Sequence, residues 1–336
     1  MIDFRYHIVS LISVFLALAV GIVLGAGPLR DSIADELTGQ VDQLRAEKED
    51  LRAELDAAQI SAQDRSTFIT ETAPRLLAGT LTDRSVAIVE LPGADEDVTE
   101  AIAARLDQAD ATVVGTITLS DSWVDTGQAS FRSGIAQNLV PSMNPAPAAD
   151  APSDLILAQA LGQALTLRNP DQTDTSSAEA TQMLELLRTS ELITEDSRIE
   201  GPAYSTVILG PPSPEEPPTE QETAQLDELN AAFATVATGM SSTGEASVLV
   251  GSDDGPGSLL TAVRADEDIA EGLTTVDGVG TITGQVTVPL ALAAAVAGAG
   301  GHFGVAEDVD AVLPAEEELS APDPQQFALG PIEEQG

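Results

Sequence analysis

The sequence predicts an α/β protein in three parts: a single transmembrane helix at the amino end, a coiled-coil stalk, and an open, mainly parallel sheet with helices on both faces. Three observations predict it. No charged residue occurs between Arg5 and Arg30, a run long enough for a helix to cross a hydrocarbon core of about 30 Å. Apolar residues then recur at heptad spacing from Leu37 to Ala62. Beyond residue 84, short apolar runs closed by Gly or Pro alternate with helical patterns.

Within residues 8–26 twelve side chains are Ile, Leu, Val or Phe, each favouring insertion by roughly 0.3–0.6 kcal/mol near the helix centre. A secretory signal fits less well, because its apolar region usually spans about 7–15 residues. The leading segment here also carries only Arg5, offset by Asp3, and Pro28 stands just past Gly25, Ala26 and Gly27, where a peptidase would cut. An uncleaved anchor over residues 8–28 is expected, held in the lipid bilayer of the cytoplasmic membrane as a single pass. Residues 1–7 are short and basic and stay in the cytoplasm, whereas the acidic remainder is extracytoplasmic. Ser13, Ala17, Gly21 and Gly25 recur every four residues. This small-residue stripe, with its Gly-x-x-x-Gly, lets two such helices pack closely, chance in an Ala/Gly-rich helix being the alternative.

The stalk is expected over residues 29–75. Leu37, Val41, Leu44, Leu51, Leu55, Ala58 and Ala62 fit heptad positions d, a, d, d, a, d and a, with Lys48 at the intervening a. In that register Glu47 is a g residue and Arg52 the e residue five positions on, the pairing that links two parallel chains. Membrane anchoring also demands parallel chains, so a homodimer is expected. An amphipathic helix lying on its own domain needs the same period and is the alternative. Ala73-Pro74 and Gly79 are the stop signals.

The α/β domain is expected over residues 80–313. A strand at 84–91, a helix at 95–109 and a strand at 112–119 form a βαβ unit, hence a parallel pair with a right-handed crossover. After a Pro/Ala loop at 141–152 come helical patterns at 154–167 and 178–187. Strands follow at 205–209, 246–250 and 273–276, with helices at 221–238 and around 283–298. This order is that of a Rossmann-like sheet covered on both faces. Residues 278–306 are again uncharged, but Pro289, Gln285 and several Gly and Thr mark a core-packing helix rather than a second span. The acidic, proline-bearing stretch 314–336 is expected to be a disordered tail.

Composition narrows the chemistry. A 43% hydrophobic content supplies a core, but aromatic residues are only 3%, so Ala, Val, Leu and Ile must build it. With no cysteine, disulfides and thiolate metal sites are excluded. From residue 84 onward seven arginines face forty-two acidic residues, a field that repels nucleic acid and anionic lipid. The two histidines are His7, at the membrane edge, and His302, read as a loop or core residue rather than a base or ligand. The turn Gly251-Ser-Asp-Asp-Gly-Pro-Gly257 suggests a phosphate loop, yet Asp253 and Asp254 would repel phosphate and the glycine spacing matches no common fingerprint. Carboxylates gather after the strands at Asp95, Glu96 and Asp97, at Asp121 and Asp125, and at Asp253 and Asp254. A hard cation such as calcium would suit them, although solvated loop carboxylates are the commoner cause. Trp123 is either a partner contact or a core plug. These residues form no catalytic constellation, so a non-enzymatic protein without a cofactor is expected.

Three stretches resemble a known family. The opening Met1-Ile-Asp-Phe-Arg-Tyr-His-Ile-Val-Ser-Leu-Ile-Ser-Val-Phe-Leu-Ala-Leu-Ala-Val-Gly-Ile-Val-Leu-Gly25 with the heptads behind it, Thr118-Leu-Ser-Asp-Ser-Trp123 and Gly301-His-Phe-Gly304 are similar to the actinobacterial MctB family, called copper transport protein, which includes corynebacterial SteB. The resemblance implies a dimeric, membrane-anchored envelope protein with a role in copper homeostasis, for which the family's proposed outer-membrane location would count. Its SteB branch implies instead a membrane partner like SteA and control of septal peptidoglycan hydrolysis. It supplies no catalytic residues. The residues themselves sit uneasily with copper transport: copper(I) prefers thiolate, thioether and imidazole, and beyond the initiator only Met143, Met183 and Met240 offer thioethers. One helix per chain cannot line a pore, and ten aromatics in all hardly furnish the girdles of a membrane barrel.

Overall fold

The computed structural model describes all residues except 1–3, 27, 196, 215, 252–254, 256 and 329–336, and the backbone alone of residue 26 and residues 28–35. Asp253 and Asp254, and Gly27 of the cleavage alternative, lie outside the described residues. The chain forms two units, Met1–Arg65 and Ser66–Gly336.

The first unit holds helix α1 (Phe4–Ala26) and most of helix α2 (Pro28–Leu77). Residues Phe4–Gly25 have a mean hydropathy of 2.8, and this is the one helix among the described residues long and apolar enough to cross a bilayer. The second unit takes α2 from Ser66. There Ile69, Ala73 and Leu77 turn into the domain core beside Leu81. Pro74 was expected to end the helix, yet α2 runs through it. A mid-helix proline costs about 3 kcal/mol, whereas burying Leu77 and Leu81 completely returns roughly 1.5–3 kcal/mol each.

The domain proper is a seven-stranded sheet of order β3-β2-β1-β4-β5-β6-β7. Strands β1 (Ser85–Glu90), β2 (Thr112–Leu119), β4 (Ser205–Leu209), β5 (Ala246–Val250), β6 (Thr274–Val276) and β7 (His302–Phe303) are parallel. Among the described residues only β3 (Ile193–Glu195) runs antiparallel in the sheet, against β2. The mainly parallel, Rossmann-like sheet is thus as the sequence predicts. The strands β3 (Ile-Thr-Glu) and β7 (His-Phe) were not foreseen, since each is short and mixes polar with apolar residues, whereas the equally short β6 stands within the run predicted at 273–276.

Alternation along the strands builds two cores. On one face Val86, Ile88, Val207, Val248 and Val250 meet α3 (Glu96–Gln108) and α10 (Ile282–Val296). On the other, Ala87, Val89, Ile208 and Leu249 meet α5 (Ser153–Thr166), α6 (Ala178–Thr189), α7 (Glu220–Ser241) and α8 (Leu259–Ala265). The uncharged α10 is largely buried, a core helix as expected. Helix α4 (Ala129–Leu139) also lies on this second face and escaped the sequence reading because one of its three buried positions, Arg132, is charged. A short α9 (Glu267–Ala270) precedes β6.

Residues 314–328, expected as part of a disordered tail, pack on the domain instead. Leu319 lies against the α3/α10 core. The buried Arg84, paired to Glu245 at 2.8 Å, donates from Nη2 to the Ser320 carbonyl, and the Arg168 amide donates to the Phe327 carbonyl. Arg168 itself stacks 3.7 Å over Tyr204, and burial lowers its pKa against the opposing pull of Tyr204 and Glu245. These anchors are backbone carbonyls, which composition does not reveal.

Candidate functional site

Strand order reverses between β1 and β4, and ligands of open α/β sheets bind outside the carboxyl ends of strands at such a switch. Glu90 closes β1 there, buried, with Oε1 accepting from Thr99 and Oε2 accepting from Thr118 at 2.6 Å. A cavity of about 260 Å³ beside it is lined by Glu90, Glu96, Glu100, Thr116 and Ser197. The start of α3, where a phosphate would seat on free amides, is met by the chain's own carboxylates: Asp95 accepts from the Asp97 amide at 2.9 Å, and Glu96 and Asp97 occupy the first turn. The crevice repels phosphate. Asp125 likewise caps its local turn by accepting from the Gly127 amide. Among the described residues no three His, Asp or Glu side chains converge as a metal site.

A second polar centre lies at the end of β6. Arg264 of α8, with a side chain 2% exposed, donates from Nη1 to Asp277 at 3.0 Å and to Asp308 at 2.9 Å, from Nε to Thr275 Oγ1, and from Nη2 to the Phe303 carbonyl. The other oxygen of Asp277 accepts from the Val305 amide at 2.7 Å. His302 Nδ1 shares a hydrogen bond with Thr275 Oγ1 at 2.9 Å, and its backbone amide donates to Asp310. Burial, and next the nearby Arg264 charge, push the His302 pKa below its ordinary value. The centre is a satisfied ionic knot.

In the first unit the expected seam lies bare on the single chain. Leu37, Val41, Leu44, Leu51 and Leu55 are 42–65% exposed. Lys48 and Arg52 are exposed with them, and Glu47 accepts from Gln43 Nε2 at 2.9 Å, one turn back on its own helix. On α1, Ser13 donates to the Val9 carbonyl at 2.8 Å, Ala17 is exposed, and the space over Gly21 and Gly25 is open to 4 Å. The structure therefore brings the predicted residues together as two stripes, one on each helix.

The family described as "Copper transport outer membrane protein, MctB" matches residues 1–314. This chain belongs to the MctB family. Curated relatives named copper transporter MctB from Mycobacterium tuberculosis and Mycobacterium bovis are each 28% identical over 317 residues, covering 90% of this chain and 96% of the relative. That of Mycobacterium leprae is 27% identical over 326 residues, covering 90% and 95%.

The two internal stretches that carry the MctB resemblance turn out to be structural. In Thr118-Leu-Ser-Asp-Ser-Trp123, Trp123 is a core plug: it is buried, and Nε1 donates to the Leu192 carbonyl at 2.6 Å. Ser120 Oγ donates to the Glu191 carbonyl, and Arg132, paired with Asp154 at 2.7 Å, donates to the carbonyls of Ser122 and Asp125. In Gly301-His-Phe-Gly304, Gly304 has φ +136° and its missing Cβ would collide with the Asp277 carboxylate, so only glycine lets that acid close on Arg264. Met143, Met183 and Met240 are all buried in the apolar core of the α5/α7 face, where thioethers fill space as other apolar groups do. The sequence reading missed Glu90 and the Arg264–Asp277 pair. The one signal was scarcity: Arg264 is one of only seven basic residues in a strongly acidic domain.

Proposed function

We propose that this MctB-family chain is a dimeric, membrane-anchored envelope protein that serves copper homeostasis as a non-catalytic scaffold, with copper as cargo of the assembly it joins. The observation that carries the dimer is the bare row Leu37, Val41, Leu44, Leu51 and Leu55 on one face of α2, which in water is costly unless a second copy covers it. The family name supports the copper role. The short basic flank at Arg5 supports a cytoplasmic amino end and an exported α/β domain. The Glu47 to Arg52 pairs would then bridge the two chains in place of the bond from Gln43.

Sedimentation of the fragment from residue 30 onward tests this. The wild-type fragment should be a dimer, and Leu44→Asp with Leu51→Asp should dissociate it, because each change places a charge against its symmetry mate in an apolar seam. A monomer at high concentration would overturn the reading and leave α2 as an amphipathic helix of its own chain.

A second reading, a SteB-like protein that regulates septal peptidoglycan hydrolysis through a SteA-like membrane partner, is favoured by one placement. The three methionines are enclosed in the apolar core and the part-buried His302 has Nδ1 engaged by Thr275, so the thioethers of this domain face inward. Copper tolerance and septum shape measured in the same deletion strain separate the two.

A further inference from the structure

Seven arginines lie beyond residue 83, against forty-two acidic residues. Five are engaged within the fold: Arg84 with Glu245, Arg132 with Asp154, Arg264 with Asp277, Arg168 over Tyr204, and the part-buried Arg105 with Gln108. The other two, Arg188 and Arg198, are exposed, and both line one cavity of about 650 Å³ between α6 and the segment after β3. A cavity of that size lies within the usual range for small ligands.

The wall is built, not incidental. Glu200 donates its amide to the Val114 carbonyl and Ser197 Oγ accepts from the Thr116 amide, so residues 197–200 lie along β2 as a further edge. Gly115 (φ +155°) permits this approach, since a Cβ there would strike Ile199. Arg198 is thus held at a fixed place with no side-chain partner among the described residues. Across the cavity Arg188 directs Nε and Nη2 at one oxygen of Glu185, at 3.0 and 2.6 Å. Glu195 completes the charged lining, and Leu184 and Ile199 add apolar wall.

Among the described residues the lining carries two positive side chains, Arg188 and Arg198, and two negative ones, Glu185 and Glu195, inside a domain whose formal charge from residue 84 is −35. A plain anion is repelled by the domain before it arrives. A plain cation finds solvated carboxylates over the whole surface and has no cause to select this place. A molecule bearing both charges escapes the first penalty and gains from the second feature: its carboxylate pairs with Arg198, its ammonium with Glu195, and a short chain between them covers Leu184 and Ile199. We propose that this cavity binds a small zwitterion of short-peptide type, with a free carboxylate and a free amine.

Trialanine is the probe, titrated calorimetrically into the full chain in detergent beside N-acetyl-trialanine and trialanine amide. One saturable site per chain is expected, with each blocked form weaker by at least about tenfold, as loss of a charge-assisted bond implies. Arg198→Gln should abolish discrimination between trialanine and its amide, and Glu195→Gln that between trialanine and its acetyl form. Arg198 is exposed and Glu195 part-buried at the end of β3 with its backbone pairing kept by Gln, so thermal unfolding should be little changed. No saturation by about 10 mM, equal binding of all three probes, or variants that still discriminate would overturn the proposal.

Discussion

Replacing Asp277 by Asn tests whether the knot at β6 holds the domain edge. Arg264 and Asp277 are 2% and 1% exposed and 3.0 Å apart, a separation at which unit charges attract by roughly 5 kcal/mol for an effective dielectric of about 20. Asn keeps an oxygen for the Val305 amide, which Asp277 now satisfies at 2.7 Å, so what is lost is the countercharge. Removing one member of a buried pair costs about 3–5 kcal/mol. Asp308, 40% exposed and 2.9 Å from the same nitrogen, compensates in part, so about 2–4 kcal/mol is expected. Asp308→Asn, on the wetter side, should cost under about 1 kcal/mol. Urea unfolding read by the single tryptophan, Trp123, which lies beside β3 at the other end of the sheet from β6, follows the domain alone. With a slope near 3 kcal/mol/M, the Asp277→Asn midpoint should fall by about 1 M at unchanged slope. Arg264→Met with Asp277→Leu should cost less than Asp277→Asn, since no buried charge is then left alone. Equal losses for Asp277→Asn and Asp308→Asn would refute the reasoning.

Other outcomes follow from the same geometry. Because the His302 pKa is held below its ordinary 6.5 by burial and by Arg264, the unfolded chain binds more protons between the lowered value and 6.5. Stability therefore falls as pH drops through that window, and His302→Gln should flatten the difference in unfolding midpoint between pH 7.5 and 5. Lys48→Leu should tighten self-association of the fragment from residue 30, by removing a charge from an a position, and sedimentation equilibrium reads it. The same fragment should bind copper(I) no tighter than about micromolar against a chelating indicator, because Met143, Met183 and Met240 are core residues; one tight stoichiometric site would require those thioethers to reach solvent. Phe233→Ala, at a side chain 1% exposed, should cost about 3–5 kcal/mol in the urea assay.

What was legible in the sequence was whatever repeats. The span, the heptads and the four longer strands each present a period, and Val86, Ile88, Val207 and Val248 lie on one face because alternation put them there. What was not legible was contact between positions far apart. Arg168 and Phe327 meet through backbone groups, so residues 314–328 read as loose acidic sequence although their carbonyls are claimed by buried arginines. Helix α4 was lost because Arg132 interrupts its apolar stripe while reaching Ser122, Asp125 and Asp154. The carboxylates after the strands read as ligands in waiting, whereas Asp95 and Asp125 are turn caps. For Arg84, Arg132, Asp95 and Asp125 a polar side chain carries out structural work that composition counts only as charge.

This bears on what family membership transmits. Trp123 with Ser120 ties the end of β2 to Leu192 and Glu191, and Gly304 makes room for Asp277 to close on Arg264. Both internal stretches of resemblance thus hold sheet edges, one beside β3 and one beside β7, the outer strands and the places where an open sheet is most exposed to unwanted pairing. What these two internal stretches share with the relatives is therefore frame. Differences in partner or cargo between such proteins then belong to surfaces the frame leaves free, here the seam on α2 and the cavity at Arg188 and Arg198. Substitutions there should change association or binding while leaving the unfolding midpoint of the domain in place, and substitutions at Trp123 or Gly304 should do the reverse.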